Sequence, residues 1–557
     1  MNSMIIKLIP LPILMAILMF SILGCSSDNA SESLSVESEF TENDSDSKST
    51  ASSISKSGDK VFTRIWSDPP TLDPHLTGDT TSSAVVVEIF GGLVSFDTSL
   101  NLIPDIAESW NISEDAKTYT FKIRRNAVFH SGKKVTANDF VWSFNRAVDP
   151  DTASPIVETY LGDIVGVKDV IEGRSDRISG VTALDEYTLQ IQIDSPKAYF
   201  LQKLTYPTAY VLDKDNVESS GSGWTDSPNG TGPFKLIEYK IGERIVLEKH
   251  SEYHLEPAKL DKIIMNLAGG SSMAMYENDE IDITGVSLFD LERIRDPSDT
   301  LNPDLVIANP GFSVSYIGFN VNEPPFDDVN FRKALNHAVD KELIAKEVLA
   351  DLVVPAYGVL PPGFPGYSEN IVGLRYDPDL AKEFLEKSKY LDTETRPRIV
   401  ITIPGSGGSP NLDLEVIINM WFENLGVEVE IQQVEWATFL NDLNKRRFQA
   451  FGGLGWEADY PDPQDFLDVL FHSESDKNNG AYSNPEVDLL LEKARLESNI
   501  GNRLELYNQA EQIIVDDGVW IPLWFEGEGH VLIKPYVEGY VITPMTISKM
   551  RYVDIKD

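Results

Sequence analysis

From about residue 60 onward, the apolar residues of this chain switch repeatedly between a spacing of two and a spacing of three and four. No serine- or glycine-rich linker separates the blocks. Tyr119, Phe121 and Ile123 alternate with Thr120, Lys122 and Arg124, and Leu189, Ile191 and Ile193 alternate with Gln190 and Gln192. Val427, Val429 and Ile431 alternate with Glu428 and Glu430. Side chains recurring at every second position line one face of a strand. Phe331, Ala334, Leu335, Ala338, Val339 and Leu343 instead recur at the helical interval, behind Asp328 as a cap. Helices are also predicted over 413–425, ended by Gly426, and over 486–497 and 502–516. Interleaved strands and helices make an α/β protein. At 557 residues the chain is too long for one domain. Without linkers, its domains must be joined by short crossovers, an arrangement that suits hinge motion.

Composition narrows the function. Lys and Arg total 47 against 88 Asp and Glu, a net charge of −41 that repels phosphate backbones, so nucleic acid is excluded as a partner. A single cysteine rules out an internal disulfide, a thiolate zinc cluster and an iron–sulfur site. Lys7 precedes an apolar run from Leu8 to Phe20, broken only by Pro10 and Pro12. That run is shorter than the ~20 residues of a membrane-spanning helix, and residues 1–24 read as a signal peptide. The lone cysteine, Cys25, follows Gly24 directly. This resembles the lipobox of bacterial lipoproteins, in which the thiol is diacylated and the cysteine becomes the new N-terminus; Leu23 is bulkier than the residue usual there. Residues 26–59 hold 13 serines, eight acids and two lysines. They bury too little to offset their ordering entropy, so 25–59 is expected to be a disordered tether. The folded body is then expected outside the cytoplasm, lipid-anchored to the outer face of the cell membrane or periplasmic.

Catalytic patterns are lacking. No G-x-S-x-G and no phosphate-binding loop occurs; Gly405-x-Gly407 runs on to Pro410 instead of completing a dinucleotide fingerprint. His250 and His254 have the spacing of a helical metal pair but follow the strand-like Ile245-Val246-Leu247, and a solvated strand end is the expected reading. No enzyme, metal site or cofactor is expected.

One set of blocks is specific. It runs from Ala107-Glu108-Ser109-Trp110 through Tyr119–Arg124, Phe129-His130-Ser131-Gly132 and Thr136–Phe140 to Arg146. Thr71-Leu72-Asp73-Pro74-His75 lies upstream; Gly230–Phe234, Glu243–Leu247, Phe319-Asn320 and Pro325–Val329 lie downstream. Gly455-Trp456-Glu457-Ala458-Asp459-Tyr460-Pro461-Asp462-Pro463 comes last. Together, over roughly 60 to 550, they resemble the family 5 solute-binding proteins, the receptors of peptide ABC importers. The resemblance implies a class C periplasmic-binding-protein fold: two hinged α/β lobes plus an extra inserted domain, with the ligand cleft between the lobes. The first lobe would comprise 60–80, 200–305 and 521–557, the extra domain 81–199, and the second lobe 306–520. It further implies a monomer that captures extracellular oligopeptides by lobe closure and delivers them to ABC permease subunits served by separate ATPase chains.

A receptor for many peptides must hold what all peptides share, an ammonium and a ladder of main-chain groups. By resemblance, Asp459 is the partner of the ammonium, and Gly455, Trp456 and Glu457 present backbone to the guest. Trp456 is a candidate wall of a side-chain pocket. Asp68 is either an acid near the peptide N-terminus or a turn residue; Pro70 and Trp524 are candidate cleft walls. Relatives hold the peptide C-terminus with Arg and His, and the matching places here carry Gly453 and Pro410 or Asn411. That leaves longer peptides whose C-terminus reaches solvent, or a ligand that is not a simple peptide: a nickel chelate, a sugar, haem or a signalling peptide.

Overall fold

A computed structural model describes residues 58–405, 407 and 409–556 of the chain. The predicted signal peptide, Cys25 and most of the tether lie outside the described residues. Among the described residues no helix is long and apolar enough to cross a membrane.

A six-stranded sheet runs in the order Val353–Pro355, Trp520–Glu526, Ser313–Phe319, Ala450–Glu457, Ile399–Pro404, Val429–Val434. Its first four strands are antiparallel to one another, and Ile399–Pro404 is parallel to both of its neighbours. The helices Val329–His337 and Leu412–Leu425 pack Leu335 and Trp421 onto Ile317, Ile401 and Ile521. The Trp421 indole N–H donates to the Leu335 carbonyl at 2.9 Å, which locks helix to helix. Asp328 caps the first helix by accepting from the Asn330 N–H, and Gly426 ends the second in the left-handed region at φ +61°.

A four-stranded sheet, Val61–Ile65, Lys262–Asn266, Arg244–Lys249, Phe234–Lys240, forms a second body. Helix Thr80–Ile89 packs Val85, Val86 and Ile89 into the same core as Phe62, Ile245 and Ile263. A smaller sheet places Gly529–Ile533 between Ile283–Gly285 and Leu305–Ala308. The third body is the antiparallel sheet Ala107–Ile112, Thr118–Ile123, Thr188–Gln192, Val181–Asp185. Helix Ala137–Val148 covers it with Phe140 and Phe144, started by a Thr136/Asp139 capping box.

These contacts move four of the boundaries expected from sequence. Helix Thr80–Ile89 shares its core with the first lobe, and the core of the inserted domain runs from Leu93 to Val211, so 81–199 is displaced at both ends. Leu305–Ala308 pairs with Gly529–Ile533, so the chain passes to the second lobe only after residue 308. Trp520–Glu526 pairs with Ser313–Phe319 and belongs to the second lobe's sheet, so the return to the first lobe falls after residue 526.

Candidate functional site

A cavity of about 810 Å³ opens where the three bodies meet. That volume lies within the range of sites that enclose small ligands. Pro70, Gly78 and Asp79 line it from the first lobe, Phe96, Asp105 and Tyr160 from the inserted domain, and Trp436, Gly455–Asp459 and Lys477 from the second lobe. One further wall is the segment Thr546–Ser548 with Arg551. Buried Glu88 pins that segment, accepting from the N–H groups of Lys549 and Met550 at 2.9 and 3.1 Å and from the Ser548 hydroxyl at 3.1 Å.

The strand Ala450–Glu457 supplies the most distinctive edge. On one side it pairs with Ser313–Phe319 along nearly its whole length. On the other it meets Ile399–Pro404 only at Ala450 and Phe451. Gly453 turns away at φ +67°, and from Leu454 onward that side lines the cavity. Alternate N–H and C=O groups of the open stretch therefore face the cavity and not a sheet partner. Gly455 is required by its other face: a methyl group there would lie 2.8 Å from the Val314 carbonyl oxygen.

Asp459 ends this edge. Its carboxylate accepts a hydrogen bond from the Tyr160 hydroxyl, and its own N–H donates to Asp465 at 2.9 Å. Asp459 lines the cavity and is half-buried. Burial pushes its pKa up to about 7; the Tyr160 hydroxyl and Lys477 act the other way, and neighbouring Glu457 adds to the rise. Asp465 lies fully buried beneath it and is raised well above the carboxylate range, first by burial and then by the Asp459 charge. It also accepts from the Trp456 indole N–H at 3.4 Å, so one carboxyl group orients both Asp459 and Trp456. Glu457 accepts from the Thr546 hydroxyl at 3.0 Å, and burial raises its pKa too.

Tyr160 is held in place by Tyr206, whose ring stacks on it at 3.7 Å and 1°. Three polar atoms of lining or adjoining residues have no hydrogen-bond partner among the described residues: Trp436 Nε1, Asn479 Oδ1 and Asp465 Oδ1.

The sites read from sequence divide clearly. Asp459, Gly455, Trp456, Glu457 and Pro70 all line the cavity. Asp68 does not; it accepts from the Gly242 N–H at 2.9 and 3.1 Å and braces the hairpin between Phe234–Lys240 and Arg244–Lys249, while its own segment forms no turn. Trp524 is a correction: it lies buried in the second lobe's core, and its indole N–H donates to Asp413 at 2.9 Å. His250 and His254 are also corrected, since neither is solvated. His250 Nδ1 lies 3.0 Å from the Gly232 carbonyl oxygen and His254 Nε2 lies 2.7 Å from Asp105. Sequence reasoning missed Tyr160, Tyr206, Trp436, Asp465, Lys477 and Arg551. Only Lys477 carried a local signal, as an isolated cation in a strongly acidic chain.

Comparison with known proteins follows the same lines. Residues 101–478 match the family described as bacterial extracellular solute-binding proteins, family 5 Middle. The periplasmic oligopeptide-binding protein OppA of Escherichia coli is 32% identical over 490 residues, covering 85% of this chain and 88% of OppA. The fold superposes on the Escherichia coli murein tripeptide binding protein MppA with a TM-score of 0.80 at 27% identity, covering 89% of this chain and 99% of MppA. The unliganded open form of MppA gives 0.63, at 28% identity and over 89% of this chain and 98% of that one. Haemophilus influenzae OppA in complex with the peptide RPPGFSPFR gives 0.80, at 26% identity, over 90% of this chain and 99% of that one.

Proposed function

The chain belongs to the bacterial extracellular solute-binding proteins of family 5, and from that premise we propose how it takes its cargo. It is an oligopeptide-binding protein of an ABC importer and works outside the cytoplasm; its relatives are substrate-binding transport proteins, not enzymes. A guest peptide lies along the open side of Ala450–Glu457 as an added strand, with its ammonium at Asp459. Pro70, Gly455, Trp456 and Glu457 complete the wall around its first residues.

The observation that carries this reading is an unpaired strand edge that runs inside a cavity and ends at a buried carboxylate. A main-chain edge suits many sequences, and a carboxylate in a desolvated wall suits one charged group common to them all. Lobe closure is part of the proposal. The better match to MppA than to its open form supports it, as does the Tyr160 to Asp459 hydrogen bond between inserted domain and second lobe. Closure then follows from tighter binding to the closed state. A lipid anchor at Cys25, a monomeric receptor, and delivery to permease subunits powered by separate ATPase chains complete it.

The test is calorimetry on the full chain in detergent with tri-alanine and N-acetyl-tri-alanine. The free peptide is expected to bind and the acetylated one to lose most of its affinity. Equal affinity for the two removes Asp459 from its role, and mass spectrometry of a co-purified cargo without an amino group overturns the reading as a whole.

A further inference from the structure

Among the described residues, nothing neutralises the Lys477 cation at close range. The residue is 6% exposed and lines the cavity. The ammonium lies beside Gly78, another lining residue, where an added methyl group would sit 3.4 Å from Nζ. Asp476, Asp459 and Asp79 exert attraction on it, yet among the described residues none reaches it at ion-pair distance. Each of the three is engaged elsewhere. Asp476 accepts from the Thr159 hydroxyl at 2.5 Å, Asp459 from the Tyr160 hydroxyl, and Asp79 caps helix Thr80–Ile89 by accepting from the Ser82 N–H at 3.0 Å.

Burying an ammonium without a close counter-charge is unfavourable, and here burial lowers its pKa in spite of the three acids. A guest ammonium at Asp459 sharpens the imbalance, because it neutralises one of the charges on which Lys477 depends. An anionic group on the same guest, within reach of Lys477, restores it. No structural ion pair explains the residue, whereas a guest carboxylate does.

We propose that Lys477 forms a subsite for a guest carboxylate held close to the guest's amino terminus, so that this receptor selects short peptides carrying an anionic group there. The proposal rests on the peptide reading above, with Asp459 taking the ammonium. The carboxylate has two sources, an acidic side chain at the first or second residue or the C-terminus of a very short peptide.

Calorimetry on the full chain in detergent separates these. One arm compares Glu-Ala-Ala-Ala with Gln-Ala-Ala-Ala and Ala-Glu-Ala-Ala with Ala-Gln-Ala-Ala; the other compares Ala-Ala with its C-terminal amide. In at least one pair the anionic member is expected to bind about tenfold or more tightly, and the pair that discriminates identifies the source. That ratio should fall to about one in Lys477→Met and invert in Lys477→Glu, which would favour a lysine-bearing peptide. Binding of all these peptides without discrimination in the unmodified protein overturns the proposal and leaves the peptide reading intact. Discrimination that persists in Lys477→Met also overturns it. Failure of every peptide to bind overturns the peptide reading and, with it, the subsite. The comparison within the unmodified protein needs no variant to fold.

Discussion

The hydroxyl of Tyr160, in the inserted domain, donates a hydrogen bond to the carboxylate of Asp459, in the second lobe. The two residues are 299 positions apart in sequence, and the stacked ring of Tyr206 fixes the donor. The closed arrangement thus orients the acid, but a neutral hydroxyl leaves its charge uncompensated. In the proposed binding mode a guest ammonium supplies that compensation. Asp459→Asn is therefore expected to weaken tri-alanine binding by ~2–5 kcal/mol, roughly 30- to several-thousand-fold in Kd. Calorimetry that finds the variant within about twofold of the unmodified protein contradicts the assignment.

Affinity should also depend on pH, with a defined sign. In this closed arrangement without a guest, burial holds the Asp459 pKa at about 7, so below that pH the group carries a proton that a bound ammonium must expel. Binding should weaken about tenfold per unit as pH falls below 7 and level off above it. Calorimetry at pH 6 in two buffers of different ionisation enthalpy should detect proton release. Because Asp465 titrates together with Asp459, the midpoint belongs to the pair. The Tyr160 hydroxyl lowers the Asp459 pKa, so Tyr160→Phe should move the midpoint upward.

Arg146 ties the inserted domain to the first lobe. It grips Asp73 through two hydrogen bonds, 2.6 and 3.1 Å, and its Nη1 lies 2.9 Å from His75 Nδ1. Both partners of the ion pair are largely shielded, at 15% and 5% exposure. Removing one member strands the other, so Arg146→Ala is expected to lose about 3–5 kcal/mol in urea unfolding. A loss below about 1 kcal/mol would place the pair among surface contacts.

Glu511 offers a stability test away from the cavity. Its Oε1 accepts from the N–H groups of Val359 and Leu360 at 2.7 and 3.0 Å, while Oε2 has no partner among the described residues. Burial raises its pKa to about 7 from an ordinary 4.5. A carboxyl raised on folding favours the fold at low pH, and that contribution disappears as pH climbs from 4.5 through 7. Glu511→Gln keeps the accepting oxygen without the charge. It should raise stability at pH 8 by up to about 3 kcal/mol and have little effect at pH 4. Equal Tm shifts at both pH values would contradict this.

Much of the local structure was legible because it depends on near neighbours. Gly426 ends Leu412–Leu425 where the sequence places the stop, and Asp328 caps as read. The strand predicted to begin at Val427 begins at Val429, because the Val427 N–H is used by the helix end, donating to Trp421. The lobe boundaries and Trp524 were misread for another reason. Trp520–Glu526 lies between two other strands and is apolar on both faces, so no alternation reveals what either face meets. Asp459 and its strand were legible as a contiguous motif. Tyr160 and Lys477 were not, since only the assembly of separate bodies brings them to the same cavity.

The wall formed by Thr546–Ser548 and Arg551 has a consequence for how such a receptor is made. Ribosomes lay a chain down from its N-terminal end, so the chamber has a gap in its side until residue 551 has been added. A chain released before that point lacks one wall of the cavity.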